Sequence, residues 1–458
     1  MLVIISDLHL TDESTANNVA PEALKLLEKE IITNAVENDA TEIHLVLLGD
    51  IFDLVRTDYW CTVPERERPW FWKNDDYNDA TAINNSTKVE DHLKAITQKI
   101  KKSKASKTLV RIINGLSAKA TARYGSNIKT RVSYVIGNHD RFLVNYDSLQ
   151  SLIRNEFNSV RRFEFRHAVC APEYGVLARH GHEWDEDCHG WEFYNDKLNT
   201  GPSVGRFDQR AYKAMAIGEL ITAEFLSGML YNIARRLNRD DPSDKQFMYH
   251  LKDINNLRPS SAAFQWLQWS IRGQGYERYR TLVEDGVKTA LDSLLKSNFA
   301  ELWSGMSWGI PKVSRTRITD LKLARAATNV LGAEIATKLS PSSSEEEDLL
   351  EGAKESVFYR KDPELKPDIQ YIVYGHTHGA RHNYFEATPQ GTVRMYINSG
   401  TFLPLIEKDA TGKGFATSHQ MTMLFFYNKS EDSEDRADNG PTVDIWNGVK
   451  RKQYTDKS

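Results

Sequence analysis

Five short apolar segments, each followed two residues later by Asp, Asn or His, constrain the fold of this chain more than any other feature. They are rich in branched residues and too short for helices, so each predicts a buried central strand. The segments span 2–5, 43–48, 132–136, 176–178 and 369–374. Between the first two, Leu24, Leu27 and Ile31 recur at helical spacing. This order predicts a β-α-β start and an α/β fold.

The strand-like segments are confined to two blocks, and a helical block separates them. Since domains usually have ~100 to 200 residues, a chain of 458 residues is expected to form more than one unit. We expect a discontinuous core from 1–182 and 369–449, a mainly helical cap from 183–368 and a tail from 450–458. At the end of the cap, the Ser- and Glu-rich stretch around Ser344 and Glu347 indicates a mobile loop or a capped helix start.

Net charge and cysteine content exclude several classes of protein. The net charge of −4 gives no overall attraction to nucleic acid or anionic membranes, so any such attraction must come from a local patch. The three cysteines, Cys61, Cys170 and Cys188, lie far apart without a Cys-x-x-Cys motif. This pattern predicts neither a disulfide framework nor a thiolate zinc site, and it favours a reducing, cytoplasmic location.

No segment has the pattern of a signal peptide or a membrane span. The opening "MLVIISDLHL" has an apolar run of five residues, ends in a charge and lacks a preceding basic region, so we expect a strand. The most apolar later stretch, 215–234, is interrupted by Glu219 and Glu224. We therefore expect a buried helix there and no transmembrane segment.

Polar side chains follow each predicted strand, where an α/β sheet builds its site. They are Asp7, His9, Asp50, Asp53, Asn138, His139, Asp140, His180, His182, His376 and His378. Residues two apart in an extended segment project to the same side, so we expect Asp7 with His9, and His376 with His378, to form paired donors. Five strands would thus deliver oxygen and nitrogen ligands to one rim.

These ligand types indicate the metal and the reaction. Carboxylate, imidazole and amide oxygen without thiolate suit Mn²⁺, Fe²⁺ or Zn²⁺. Even seven ligands drawn from these eleven residues are too many for one ion. Two ions ~3.5 to 4 Å apart, bridged by a carboxylate, would use them and would clamp the attacking and leaving oxygens of an in-line displacement at phosphorus.

The blocks Asp-x-His, Gly-Asp-x-x-Asp, Gly-Asn-His-Asp, His-Gly and Gly-His-x-His, in this order, resemble the calcineurin-like metallophosphoesterases. The resemblance covers about 1–182 and 369–403. It implies a four-layer αββα sandwich, here with a large helical insertion, and hydrolysis of a phosphoester by a metal-bound hydroxide. It also implies two divalent ions, with Mn²⁺ as first choice and Fe²⁺ or Zn²⁺ as alternatives.

The same resemblance implies a role for each rim residue. Asp7, His9 and His378 would hold the first ion, Asn138, His180 and His376 would hold the second, and Asp50 would bridge them. His139 with Asp140 resembles the pair that stabilises the transferring phosphoryl group and helps to protonate the leaving oxygen. Asp53 is expected to orient a ligand histidine, and His182 to be either a substrate contact or a structural partner.

Three functions remain open from the sequence. The first motifs resemble the subgroup of UDP-2,3-diacylglucosamine hydrolase, which favours a phosphodiester or pyrophosphate substrate, although the helical insertion is much larger than the lid of that enzyme. The second function is a Mn²⁺-dependent nuclease on DNA or RNA with a separate ATPase partner. The third is a protein-binding platform on the phosphoesterase fold.

Two local patterns bear on partners and ions. Segment 99–131 has ten Lys and Arg residues and no Asp or Glu, so it could track a phosphate backbone or could be a solvated helix face balanced by acids such as Glu345 to Glu347. The stretch "WDEDCHGW" contains Asp185, Asp187, Cys188 and His189. It permits a third metal site, although a polar loop leading into the cap is the favoured interpretation.

Overall fold

A computed structural model describes residues 1–71, 87–125, 127–191, 204–297, 299–300, 345–387, 393–432 and 440–449. Their strands form two mixed sheets, so the chain is a mixed α/β protein as the strand pattern predicts. Ser344, named above as part of a mobile loop or a capped helix start, lies outside the described ranges, and the described chain resumes in a helix at Glu345.

The strands β1 to β12 include all five of the predicted central strands. In chain order they span Leu2–Ile5, Glu42–Leu48, Lys129–Val135, Arg162–Arg166, Val169–Ala171, Val176–Ala178, Tyr371–Tyr374, Arg381–Ala387, Val393–Asn398, Pro404–Lys408, Phe415–Tyr427 and Thr442–Val449. The first sheet has the order β10-β11-β1-β2-β3-β4, with β12 paired to β11. The second has the order β5-β6-β7-β9-β8. Strands β1 to β4 are parallel, and so are β6, β7 and β9.

The longer helices, α1 to α9, surround these sheets. They span Pro21–Glu37, Thr87–Lys102, Lys104–Tyr124, Asp147–Arg154, 217–234, Pro242–Leu251, Ala263–Gly273, Arg280–Lys296 and Glu345–Phe358. Helix α5 contains a π-helical stretch, Ile221–Ser227, between two α-helical ones. Short helical turns occur at Tyr59–Thr62, Glu65–Glu67, Arg141–Val144, Pro172–Tyr174, His182–Trp184, Gln209–Lys213, Lys252–Asn256, Ser260–Ala262 and Glu277–Tyr279.

The two sheets pack face to face because their strands are apolar on both sides. In β1, Leu2 and Ile4 point into a core shared with β7 and β9, whereas Val3 and Ile5 point into the core formed with the helices. Helix α9 packs on the outer face of the second sheet through Leu349. The observed layers are therefore helices, sheet, sheet and helix.

The helical block lies beside the carboxyl ends of the strands. Glu219 of α5 accepts hydrogen bonds from both Nε and Nη2 of Arg141, at 2.6 and 2.8 Å, and all four side-chain atoms are buried. Arg258 donates from Nε to the carbonyl of Thr377 at 3.2 Å. These contacts fix the block against the loops that follow β3 and β7.

One helical segment among the described residues, Gln209–Ala234, has the length and composition of a membrane span, and 72% of its most apolar window is buried inside the protein. The core helices of globular proteins often meet the same criteria. Its acidic side chains are paired, since Glu219 binds Arg141 and Glu224 binds Arg68.

We expect Arg179→Met to destabilise the fold by about 3–5 kcal/mol, because it would leave Asp362 buried without a cation. The Arg179 and Asp362 side chains are 3% and 0% exposed, and Nη2 donates to Oδ1 at 2.8 Å. A matched control is Arg236→Met, since Arg236 and Asp285 pair at 3.0 Å with side chains 47% and 50% exposed. The control substitution should lower the free energy of unfolding by less than about 1 kcal/mol. Urea unfolding, followed by circular dichroism, measures the free energy of unfolding of both variants. Equal losses of unfolding free energy in the two variants would contradict the prediction.

Candidate metal centre

Five of the predicted ligands occupy strained backbone just after the strands. Asp7, His9, Asp50, His376 and His378 have φ angles of 52°, 40°, 54°, 70° and 67°. They make up most of the non-glycine residues with positive φ in the described ranges. Such conformations are costly and concentrate at functional sites, so the rim has the backbone signature of a site.

The ends of two strands contradict the prediction that the paired donors lie on extended strand residues. Strand β1 ends at Ile5 and β7 at Tyr374, before the paired donors begin. Because both pairs lie beyond the strand ends, the alternation of side chains along a strand does not explain why these donors converge. His376 and His378 in fact enter different groups of potential ligands, one with His180 and the other with His9.

Asp7, His9 and His378 form the first group. Nε2 of His9 lies 3.0 Å from Nε2 of His378, and Oδ1 of Asp7 lies 3.8 and 3.5 Å from these two nitrogens. All three side chains are buried. Burial, with the charge of Arg56, lowers the pKa of His9 to about 3, so its imidazole is in the neutral form that binds metals.

Asp53 orients His9. Its Oδ2 lies 2.8 Å from Nδ1 of His9, and its Oδ1 accepts the backbone N–H groups of Val55 and Arg56 at 3.0 and 2.8 Å. Although burial raises the pKa of Asp53, the adjacent His139 and His9 hold it well below the ordinary value. A carboxylate that accepts Nδ1–H leaves the Nε2 lone pair of His9 facing Asp7 and His378. This is the position predicted for Asp53.

His180, Asn138, Asp50 and His376 form the second group. Nε2 of His180 lies 3.2 Å from Oδ1 of Asn138 and 3.4 Å from Oδ2 of Asp50. Nδ1 of His180 lies 2.8 Å from the carbonyl of Leu48, which fixes the ring. Burial lowers the pKa of His180, but the carboxylates of Asp50 and Asp7 raise it to about 10. Ligand atoms of Asp50, His180 and His376 all lie within 4.8 Å of one another.

Asp50 stands between the two groups. Its Oδ2 lies 3.6 Å from Nε2 of His9 and 3.4 Å from Nε2 of His180. Its Oδ1 accepts the backbone N–H of His139 at 2.8 Å, which fixes the carboxylate. The Asp50 carboxylate can therefore supply a ligand oxygen to either group.

The geometry and the charge of these residues fit a divalent ion. Ligands about 2.1 Å from one ion lie roughly 3.0–3.5 Å apart, close to the spacings within both groups. Oδ1 of Asp7 is buried and accepts no hydrogen bond among the described residues. Burial raises the pKa of Asp7, the charge of His180 lowers it and that of Asp50 raises it again, so a bound cation would stabilise this buried carboxylate. These buried His and Asp groups could therefore bind a metal.

His139 and Asp140 occupy different environments. Nδ1 of His139 lies 3.0 Å from Oδ2 of Asp53, and its side chain is 12% exposed. Asp140 is fully buried and accepts from the hydroxyl of Tyr134 and from the N–H groups of Gly137 and Ile51. The carboxylate that contacts His139 is thus Asp53, which corrects the predicted pairing with Asp140. Asp140 instead holds the loop, and burial together with the charge of Asp50 raises its pKa to about 7.

His182 packs beside His180 and belongs to none of the groups of potential metal ligands found among the described residues. It is 1% exposed, and its ring centroid is 5.3 Å from His180 and 5.2 Å from His189. Burial holds the pKa of His182 well below its ordinary value. Of the two roles left open by the sequence, this position favours the structural one.

Two residues that contact the rim, Arg56 and Thr401, were not predicted from the sequence, and Asp185 was named only as a candidate ligand of a third metal site. Nε of Arg56 lies 3.4 Å from Oδ2 of Asp53, the hydroxyl of Thr401 donates to the carbonyl of Asp7 at 2.7 Å, and Oδ2 of Asp185 lies 2.8 Å from Nε2 of His376. Only Asp185 had a signal, because it belongs to the acidic stretch after His182.

Comparison of the chain with protein-family models and with curated proteins finds no match.

We expect Gly137→Ala to lower metal affinity by at least about 10-fold, as losing a group that orients a ligand does. A Cβ at Gly137 would lie 2.2 Å from Oδ1 of Asp50 and 2.7 Å from its backbone nitrogen, so Asp50 must move. In the control Gly115→Ala, the nearest atom is the flexible end of Lys119 at 3.7 Å. Mn²⁺ titration by calorimetry compares the two variants, and unchanged affinity in Gly137→Ala would refute the expectation.

Asp53→Asn should weaken metal binding by about 10–100-fold, because an amide can present Nδ2–H instead of an acceptor to His9. Asp285→Asn, whose side chain is 50% exposed, is the matched control. Calorimetric titration of both proteins with Mn²⁺ measures the effect. Identical affinities would show that Asp53 does not orient His9 for metal binding.

Proposed function

We propose that this protein is a metal-dependent phosphoesterase of the calcineurin-like metallophosphoesterase family that hydrolyses a phosphodiester or pyrophosphate. The observation that carries the proposal is the meeting of two buried donor groups at one carboxylate, Asp50. All seven residues named from the motif resemblance contribute to these groups. The layers of helices, sheet, sheet and helix support the family's αββα sandwich as the fold.

The two groups suggest how two ions would be held. Asp7, His9 and His378 would hold one, Asn138, His180 and His376 the other, with Asp50 shared. The absence of thiolate from both groups favours Mn²⁺, with Fe²⁺ or Zn²⁺ as alternatives. Two bound cations would acidify a water molecule and neutralise charge on the phosphoryl oxygens.

His139 is proposed to meet the substrate. Its Nδ1 is buried beside Asp53, so the exposed part of the side chain belongs to the rest of the ring. Asp53 lies close enough to hold the ring in one orientation. A protonated imidazole at this edge could bind a phosphoryl oxygen and give a proton to the leaving oxygen.

A nuclease is the second candidate, and exposed cations on α2 and α3 favour it. Lys102, Lys107 and Arg111 are exposed on these helices. The segment is not wholly free, since Lys101 pairs with Glu156 at 2.7 Å and Lys119 pairs with Glu28 at 2.5 Å. Lys101, Lys107 and Arg111 also line a pocket with Phe52, which follows Asp50 by two residues in the chain.

The proposed reaction is tested with Mn²⁺ and three substrates: bis-p-nitrophenyl phosphate, a nucleotide-linked pyrophosphate lipid, and single- or double-stranded DNA. We expect metal-dependent release of product, and a loss of at least about 100-fold in Asp50→Asn, since losing a shared ligand should exceed the cost of losing an orienting group. Asp285→Asn should retain the activity of the unmodified protein. Turnover of none of these substrates, with tight binding to another protein, would favour the protein-binding platform.

The nuclease alternative has its own discriminating variant. Lys102→Gln with Lys107→Gln should reduce the salt slope of DNA binding by about 2, one for each lost phosphate contact. Lys25→Gln with Lys29→Gln on the neighbouring α1 removes the same charge from side chains that are 59% and 72% exposed. Equal salt slopes of DNA binding in both double variants, or cleavage of the pyrophosphate lipid alone, would exclude the nuclease function.

A further inference from the structure

His376 also belongs to a further group of potential ligands, together with Asp185 and Cys188. Ligand atoms of Asp185, Cys188 and His376 lie within 4.8 Å of one another, and Oδ2 of Asp185 is 2.8 Å from Nε2 of His376. The side chains of Asp185 and His376 are 17% and 8% exposed, so the group lies closer to solvent than Asp7 or His378.

The loop that carries Asp185 and Cys188 is held in place by its backbone. The N–H of Cys188 donates to the carbonyl of Asp185 at 3.0 Å, and the N–H of Asp187 donates to Oδ1 of Asp185 at 2.9 Å. Gly218, in the first turn of α5, donates its N–H to the carbonyl of Asp187 at 2.8 Å. A Cβ at Gly218 would lie 3.1 Å from Sγ of Cys188, so the sulfur packs directly against the helix. The three donors are therefore positioned before any ion binds.

The donor set differs chemically from both groups that meet at Asp50. A thiolate with imidazole and carboxylate is a set that Zn²⁺ and softer ions prefer, and three protein ligands leave the fourth tetrahedral position open. Mn²⁺ prefers oxygen and nitrogen donors, so the two kinds of site can discriminate between ions.

We propose that Asp185, Cys188 and His376 form a separate site for Zn²⁺ or another thiophilic divalent ion, and that its occupation withdraws His376 from Asp50 and His180. Such an ion takes Nε2 of His376, the nitrogen that faces Asp185. The binding does not depend on the proposed phosphoesterase activity, whereas the resulting inhibition does.

Binding is tested with Co²⁺, whose bond to a thiolate gives a charge-transfer absorption band. The unmodified protein is expected to show this band. Cys188→Ser should lose it, and its affinity for the thiolate-bound Co²⁺ equivalent should fall by about 10-fold or more. Cys170→Ser is the matched control and should keep the band. A band that persists in Cys188→Ser, or no band in the unmodified protein, would overturn the site.

A second variant keeps the test decisive if Cys188→Ser folds poorly. Asp185→Asn retains the sulfur, so the band should remain but require about 10-fold more Co²⁺ for saturation. Unchanged saturation would exclude Asp185 from the site.

Inhibition is measured separately, with bis-p-nitrophenyl phosphate and Mn²⁺. Zn²⁺ should inhibit the unmodified protein, and Cys188→Ser should need at least about 10-fold more Zn²⁺ for the same inhibition. Equal inhibition of both proteins would refute the competition for His376. If no phosphoester is turned over, the proposed function fails, but the cobalt band still decides whether the site exists.

Discussion

Two buried carboxylates, Asp7 and Asp50, are the constraint on which the rim depends. A carboxylate removed from water costs several kcal/mol unless it is paired, hydrogen-bonded or bound to a cation. Here the surroundings are mainly imidazole nitrogens, and Oδ1 of Asp7 accepts no hydrogen bond from the described residues. The convergence of five loops surrounds these anions with donors that also suit divalent ions, which links the stability of the rim to its proposed chemistry.

The loops can hold strained backbone because they bind one another. The N–H of Asp7 donates to the carbonyl of Gly49 at 3.1 Å, and the N–H of His9 donates to the carbonyl of Asp50 at 2.8 Å. The N–H of His376 reaches Oδ2 of Asp7 at 3.0 Å. Gly49 is needed because a Cβ there would lie 2.3 Å from Nδ1 of His180. Such mutual bonding keeps left-handed conformations in place and presents the donors in a preformed arrangement.

The helical block extends this arrangement beyond the sheets. The buried pair of Arg141 and Glu219 ties α5 to the loop that carries His139, and Gly218 ties the same helix to the loop of Cys188. One helix therefore contacts both a loop of the proposed catalytic centre and the proposed thiophilic site. A block held so close to the rim is also the natural element to select the substrate of the proposed reaction.

The sequence by itself determined the strands, the mixed α/β class and the residues that meet at the rim, because short apolar runs and the polar residues after them are local patterns. It also predicted Asp53 beside a proposed ligand histidine, and Asp53 contacts His9. Only the tertiary structure decided that His139 contacts Asp53 rather than Asp140 and that His182 is buried. These outcomes depend on left-handed backbone and on contacts between residues far apart in the chain, such as Asp7 and His376, and strand periodicity encodes neither.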